Sequence, residues 1–193
     1  MNRHLAILAA AAATLALSAG VSALPPPQVN DPLIADDSLP RTLGDYGFFL
    51  DVHADDPAPG VKPYRLNMPL FSDGATKLRY IYVPEGAQVD VGEQGLLQFP
   101  VGSALIKTFA FGEGDAMRKI ETRVLLHRAD GWVALPYVWN EAQTEATLAL
   151  AGKRVPVTTP WGEDISYRVP NKNQCKECHG LHGAVTPIGP KTR

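Results

Sequence analysis

From Tyr64 to Val169 the chain alternates apolar and polar residues with a period of two, broken at short intervals by Gly, Pro and Asp-Gly pairs. In Lys77–Val83, Leu78, Tyr80 and Tyr82 face one way and Lys77, Arg79, Ile81 and Val83 the other, the signature of a half-buried strand. Ile120, Thr122, Val124 and Leu126 alternate likewise with charged partners, and Asp130-Gly131 then marks a hairpin turn. The spacing predicts strands near residues 77–83, 95–99, 104–111, 119–127, 132–139, 146–150, 154–158 and 165–169. Trp132–Trp139 is apolar on both faces and reads as central, with Pro136 expected to force a bulge or an unpaired stretch. Short strands with regular turns predict a mainly β fold: an antiparallel β-sandwich or jelly-roll-like domain. Its expected core is Tyr80, Ile106, Val124, Leu126, Trp132 and Val138. No segment of helical period exceeds ten residues, and no repeat is visible.

The flanks read differently. Residues 24–40 hold five prolines and little periodicity, as an extended arm or linker would. Residues 42–50 suggest a short helical turn, with Thr42 as cap and Asp45 where a capping-box acid belongs. Residues 55–63 read as loop. The expected organisation is a signal peptide over 1–23, a Pro-rich linker with its helical turn over 24–63, the β domain over 64–170, and a segment over 171–193 that, because it holds Cys175-x-x-Cys178-His179, reads as haem-attaching and as the start of a cytochrome c domain.

That first segment is an address. Arg3 opens it, an Ala-rich apolar run extends over residues 5–19, and Val21 and Ala23 stand at the small-residue positions of a cleavage site. The run is short for a membrane span. Cleavage after Ala23 and a periplasmic location are expected, with no stable membrane anchor afterwards. The whole chain carries a formal charge of −2, and loss of Arg3 leaves −3. No basic excess is available to hold nucleic acid, and no nucleic-acid partner is expected. Hydrophobic residues at 45% suffice for a packed core, and two cysteines exclude a disulfide-stapled scaffold.

Those two cysteines carry the chemistry. Cys175-Lys176-Glu177-Cys178-His179 is C-x-x-C-H, the attachment site of haem c: two thiols reach the two vinyl groups on one porphyrin edge, and the adjacent imidazole reaches the iron. Cys175, Cys178 and His179 are thus the expected cofactor-binding residues, with His179 the proximal iron ligand. A redox dithiol would follow a strand of a βαβ unit, which is missing from the pattern. A zinc site of Cys175, Cys178, His179 and His182 would crowd four ligands into eight residues, whereas structural zinc sites draw pairs from separate segments. Export agrees with the haem reading, because haem c is attached outside the cytoplasm.

Further stretches carry a resemblance. Phe71-Ser72-Asp73, Ile106-Lys107-Thr108-Phe109, Glu121-Thr122-Arg123, the run from Trp139 to Ala146, Asn173-Gln174 before the haem motif, and Pro187 to Lys191 resemble a family of exported, largely uncharacterised bacterial c-type cytochromes with an N-terminal β domain. The resemblance spans roughly residues 43–193. Members are typically di-haem and continue past the Gly-Pro-Lys stretch, whereas this sequence holds one C-x-x-C-H. Gly189-Pro190 is similar to the pair that, in class I cytochromes c, offers a carbonyl to the proximal imidazole. Pro190 is therefore an expected contributor to the cofactor site.

A six-coordinate haem needs a second axial ligand. His182 is excluded on reach, since three residues cannot round a porphyrin edge with both imidazoles correctly aimed. Met117 and Met68 of the β domain are the candidates within this sequence. The other reading, favoured by the steric argument and by the resemblance, is that the chain is the front of a longer protein. His53, Asp55 and Asp56 read as a solvated turn rather than a hard-metal loop. Trp132, Tyr137, Trp139 and Trp161 read as core aromatics rather than a sugar platform. The expected function is single-electron transfer in the periplasm with redox partner proteins, as a carrier more than a catalyst. The alternatives are a haem-bearing subunit of a periplasmic oxidoreductase and a carbohydrate-binding β module with a tethered haem.

Overall fold

The computed structural model describes residues 28–68, 70–181 and 183–192. The expected signal peptide and His182 lie outside the described residues. The chain forms a short helix α1 (Asp31–Ala35), a 3₁₀ turn (Leu43–Tyr46), and strands β1 (Val61–Pro63), β2 (Thr76–Tyr82), β3 (Asp90–Val91) and β4 (Leu97–Gln98). There follow β5 (Ala104–Phe111), β6 (Arg118–Arg128), β7 (Gly131–Trp139), β8 (Ala146–Leu148), β9 (Lys153–Thr158) and β10 (Asp164–Val169). Helix α2 (Cys175–His179) and two-residue strands β11 (Gly180–Leu181) and β12 (Ala184–Val185) complete it.

The fold is mainly β and antiparallel. A six-stranded sheet in the order β1-β2-β5-β6-β7-β8 forms one layer, and β9–β10, β3–β4 and β11–β12 form separate two-stranded pairs. Strict alternation gives this sheet two buried faces. On the first, Tyr80, Tyr82, Ile106, Val124, Leu126, Leu135 and Tyr137 pack against Ile34, Leu43, Tyr46 and Phe48. On the second, Phe109, Phe111, Ile120 and Val138 take the β9–β10 hairpin through Val157, Tyr167 and Val169. Farther along that face, Leu105, Leu125 and Ala134 meet Phe99 and Cys175. The result is a sandwich-like stack with the large sheet in the middle.

Residues 28–63, read from sequence as linker and loop, cover the first face, and β1 extends the sheet edge. Ile34 is wholly buried. Polar contacts tie the segment down: Asn30 N–H donates to the Tyr46 carbonyl at 2.9 Å, Tyr82 Oη to Asp31 Oδ1 at 2.6 Å, Tyr137 Oη to the Pro40 carbonyl at 3.0 Å, and Arg128 Nη2 to the Ser38 carbonyl at 2.7 Å. The predicted cap is present, with Thr42 N–H donating to Asp45 Oδ2 at 2.9 Å.

Pro136 causes no bulge. It lies within continuous β7, opposite Arg123 of β6. Its carbonyl accepts from Ala149 N–H at 2.9 Å, so its ring nitrogen also faces the β8 side, and the β8 ladder ends at Leu148. The missing N–H falls where pairing stops. The bulge is on β6 instead. Phe109 faces Glu121 and Ala110 faces Lys119, leaving Ile120 as the extra residue. Of the expected core, Tyr80, Ile106, Val124, Leu126 and Val138 are buried. Trp132 is half-buried and lies flat on His127, with ring centroids 4.6 Å apart.

Truncating a wholly buried Ile removes its transfer free energy and leaves a cavity, together about 2–5 kcal/mol. Ile34→Ala is expected to lower the unfolding free energy by that amount, seen as a lower urea midpoint at constant m-value; an unchanged midpoint would mark residues 28–40 as a detachable linker.

Candidate functional site

The C-x-x-C-H segment is placed by the strand before it. Gly152, ahead of β9, has φ +74°, and a Cβ there would stand 2.6 Å from the Val169 carbonyl oxygen. Only glycine lets the two chains pass this closely. Lys172 N–H then donates to the Leu150 carbonyl at 3.0 Å. Asn171 and Gln174 exchange bonds: Gln174 N–H donates to Asn171 Oδ1 at 3.0 Å, and Asn171 N–H to Gln174 Oε1 at 3.1 Å. This reciprocal cap starts α2, a single turn carrying all three motif residues.

A spacing of three puts Cys175 and Cys178 on one side of that turn. Both are free thiols, Cys178 exposed and Cys175 buried against the second face of the sheet. Burial pushes the Cys175 thiol above its ordinary pKa. Its Sγ lies 3.6 Å from the Asn171 carbonyl oxygen. His179 follows at the end of the turn. Its Nδ1 donates to the Thr186 carbonyl at 3.3 Å, while Thr186 N–H donates back to the His179 carbonyl at 2.6 Å. This fixes the tautomer and leaves Nε2 as the free lone pair, the arrangement of a metal-ligating imidazole. Burial holds the imidazole below its usual pKa; the bond to Thr186 opposes this, and the charges of Lys107 and Arg123 add to it.

The carbonyl serving His179 is therefore that of Thr186, not one from the Gly-Pro pair. Pro190's carbonyl instead accepts from Leu97 N–H at 3.5 Å, next to an isolated bridge between Leu96 and Lys191. Thr192 N–H donates to the Gly95 carbonyl at 2.8 Å. Residues 186–192 thus cross the domain and fasten to it, and Pro190 acts as part of that fastening.

Neither methionine lines the cavity that Cys175, Cys178 and His179 border. Met117 begins the turn into β6, six residues from Arg123, a strand distance of about 20 Å. Met68 lies in the loop between β1 and β2 with 89% of its surface exposed. Among the described residues no cluster of three or more His, Cys, Asp or Glu side chains forms a self-contained metal centre. The Asp51 carboxylate accepts from the backbone N–H groups of His53, Asp55 and Asp56 at 2.7, 3.0 and 2.6 Å, so that loop is a carboxylate-organised turn. Tyr137 and Trp139 are core, while Trp161 is exposed and stacks on Phe71 at 6.3 Å.

Cys175, Cys178 and His179 border an open cavity of 170 Å³ whose other walls include Arg123, Leu125 and Arg168. Ligand-enclosing sites span about 300–1,000 Å³, so this one suits the attached edge of a ring rather than the whole of it. Two free thiols three residues apart, a neutral imidazole with one nitrogen fixed, and an apolar wall are the donor set of a covalently held haem.

Lys107, Glu121 and Arg123 lie in stretches that carry the resemblance, but the sequence assigned them no role beside this cavity. Glu121 is wholly buried and accepts from Arg123 Nε at 2.8 Å, Arg123 Nη2 at 2.5 Å and Tyr167 Oη at 2.7 Å. Burial works against the Arg123 charge, yet Glu121 outweighs it and raises the guanidinium pKa. Register sets Arg79, Lys107 and Arg123 side by side on three adjacent strands. Lys107 Nζ lies 4.6 Å, and Arg123 Cζ 4.4 Å, from the Phe109 ring centroid. Burial, then the charges of Arg123, Arg79 and Lys77, push the Lys107 pKa down to about 8. Alternation shows which strand face each cation occupies, but only the register shows that they are neighbours.

No family model, curated protein or solved structure matches the chain.

Two predictions concern this charged row. Removing one partner of a buried pair strands the other, at about 3–5 kcal/mol. Glu121→Gln should cost that much in urea unfolding, and Tyr167→Phe about 1 kcal/mol. For Lys107 the folded pKa lies below the unfolded value, so the unfolded chain binds more protons above pH 8 and stability rises with pH. Haem-free protein should therefore gain on the order of 1 kcal/mol between about pH 8 and 10, before tyrosines ionise. Lys107→Met should remove the gain; a flat profile in the wild type would show that Lys107 is not desolvated.

Proposed function

We propose that this chain is an exported c-type cytochrome carrying one covalent haem on Cys175 and Cys178, passing single electrons between redox partner proteins in the periplasm. The observation that carries the reading is the single turn α2, which combines two free thiols at a three-residue spacing with an imidazole whose Nδ1 is taken by Thr186. When bound, haem supplies a one-electron couple whose potential depends on axial ligand, burial and hydrogen bonding.

The chain's own residues then have separate tasks. Cys175 and Cys178 anchor the ring edge. His179 presents Nε2, and Thr186 holds its tautomer and heading. Leu125 gives the cavity an apolar wall, and Arg123 places a fixed positive charge beside it. The signal segment, with cleavage after Ala23, accounts for delivery to the compartment where attachment occurs.

A second reading has one observation in its favour. The described cavity walls include no Met and no His besides His179. That suits an exchangeable sixth position, as in a haem-bearing subunit of a periplasmic oxidoreductase.

The test is maturation in a host with haem c assembly. Haem stain should stay with the polypeptide on denaturing gels and vanish in the Cys175→Ala/Cys178→Ala double variant. A His179→Ala variant should keep its thioethers and lose the wild-type spectrum. Wild-type protein that binds zinc and no haem would overturn the proposal. Carbon monoxide binding by the reduced protein would favour the oxidoreductase reading, and its absence the carrier.

A further inference from the structure

The second sheet face holds more positive charge than the protein neutralises. Arg79, Lys107 and Arg123 form a row across β2, β5 and β6, one residue pair beyond the apolar row Ile81, Leu105 and Leu125 on which Cys175 packs. Lys77 bears on the same row electrostatically. Glu121 is the one carboxylate bonded to it among the described residues, and both Glu121 oxygens already serve Arg123. Arg79 is 93% buried, yet among the described residues its guanidinium makes a single hydrogen bond, 3.3 Å to the Lys77 carbonyl. Lys107 Nζ has no hydrogen-bond or ion-pair partner among the described residues.

Burying cations without counter-charge is costly, and buried Arg and Lys are ordinarily paired. Arg79 is buried without a carboxylate, Lys107 is half-buried over the Phe109 ring, and Arg123 is half-buried with Glu121 as its one counter-charge; on adjacent strands, spanning about 10 Å at the inter-strand spacing, the three make a seat for an anion with more than one charged group. The row adjoins the motif cavity through Arg123, which lines it. Lys107 and Arg123 are also the two cations whose fields reach His179.

We propose that Arg79, Lys107 and Arg123 receive the propionate carboxylates of the haem attached at Cys175 and Cys178, so that the β-sheet neutralises one edge of the ring while the thioethers hold another. The inference rests on the haem reading above. It gives the β domain a role in haem binding that needs no distal ligand from Met117 or Met68. Arg79 and Lys107, which do not line the cavity, become haem-binding residues, and the resting cost of the cationic row is repaid on loading.

The experiment compares wild type with Lys107→Met and Arg79→Met, each matured with haem and each also prepared haem-free. Lys107→Met keeps the side-chain length and removes the charge. In the haem-free state it should raise the melting temperature, because it relieves repulsion. In the loaded state that gain should vanish or reverse, and the propionate-bending band in the resonance Raman spectrum should shift from its wild-type position. Arg79→Met should move the same band, which covers the case where Lys107→Met matures poorly. Lys153→Gln on β9, outside the row, should leave the band in place. If the loaded variants keep the haem-free gain and the band does not move, the row serves another anion, such as a partner's carboxylates, and the inference fails. Absence of haem stain on wild-type protein is a different result and would overturn the haem reading itself.

Discussion

A carboxylate with no solvent around it organises the second face of the sheet. Glu121 sits beside the β6 bulge, between the β9–β10 hairpin and the row of cations. It takes the Tyr167 hydroxyl from one side and both arms of the Arg123 fork from the other. A buried carboxylate is tolerated only when its oxygens are satisfied. Those three bonds therefore fix where the hairpin lies on the sheet and which way Arg123 points. The extra residue Ile120 matters for the same reason. By shifting the register it puts Ile120 into the apolar cluster under the hairpin while Glu121 stays on the same face.

The motif segment depends on this frame. Gly152 lets the chain leaving β10 pass close to the preceding turn, the Asn171–Gln174 exchange begins the helical turn, and Cys175 seats on Leu105 and Leu125. None of these contacts is strong alone. Together they aim a five-residue helix, too short to persist in isolation, at one place on the sheet. The first face has a separate logic. It is closed by the N-terminal segment, through aromatic packing of Tyr46 on Phe48 and hydrogen bonds to main-chain carbonyls.

The sequence made the strands legible because period-two alternation and turn residues are local signals. The observed β5 coincides with the expected 104–111, and β6 and β7 extend the expected spans by a residue or two. The turn at Thr42 was legible for the same reason. Of the two outcomes expected at Pro136, the unpaired stretch is the one found, because the β8 ladder stops where the missing N–H would be needed. The arm over residues 28–40 was read as linker because its burial depends on Tyr137 and Arg128, about 90 residues away. At the site, C-x-x-C-H spacing exposed the two thiols and the imidazole. It gave no access to Thr186, which reaches His179 only through the small β11–β12 turn, or to the cation row, which exists only once three strands are in register.

The strand order has a kinetic side. From β5 to β8 each strand pairs with its sequence neighbour, so this half of the sheet closes by short loops and assembles early. The segment carrying Cys175 lies on the outside of this sheet, and among the described residues its far end is fastened by the Leu97–Pro190 and Gly95–Thr192 bonds and the Leu96–Lys191 bridge. A segment held by so few contacts opens at lower free energy than the sheet beneath it. Access to the buried Cys175 thiol is thereby governed by the undocking of this segment rather than by global unfolding, so a thiol reagent in solution reaches it while the large sheet stays intact.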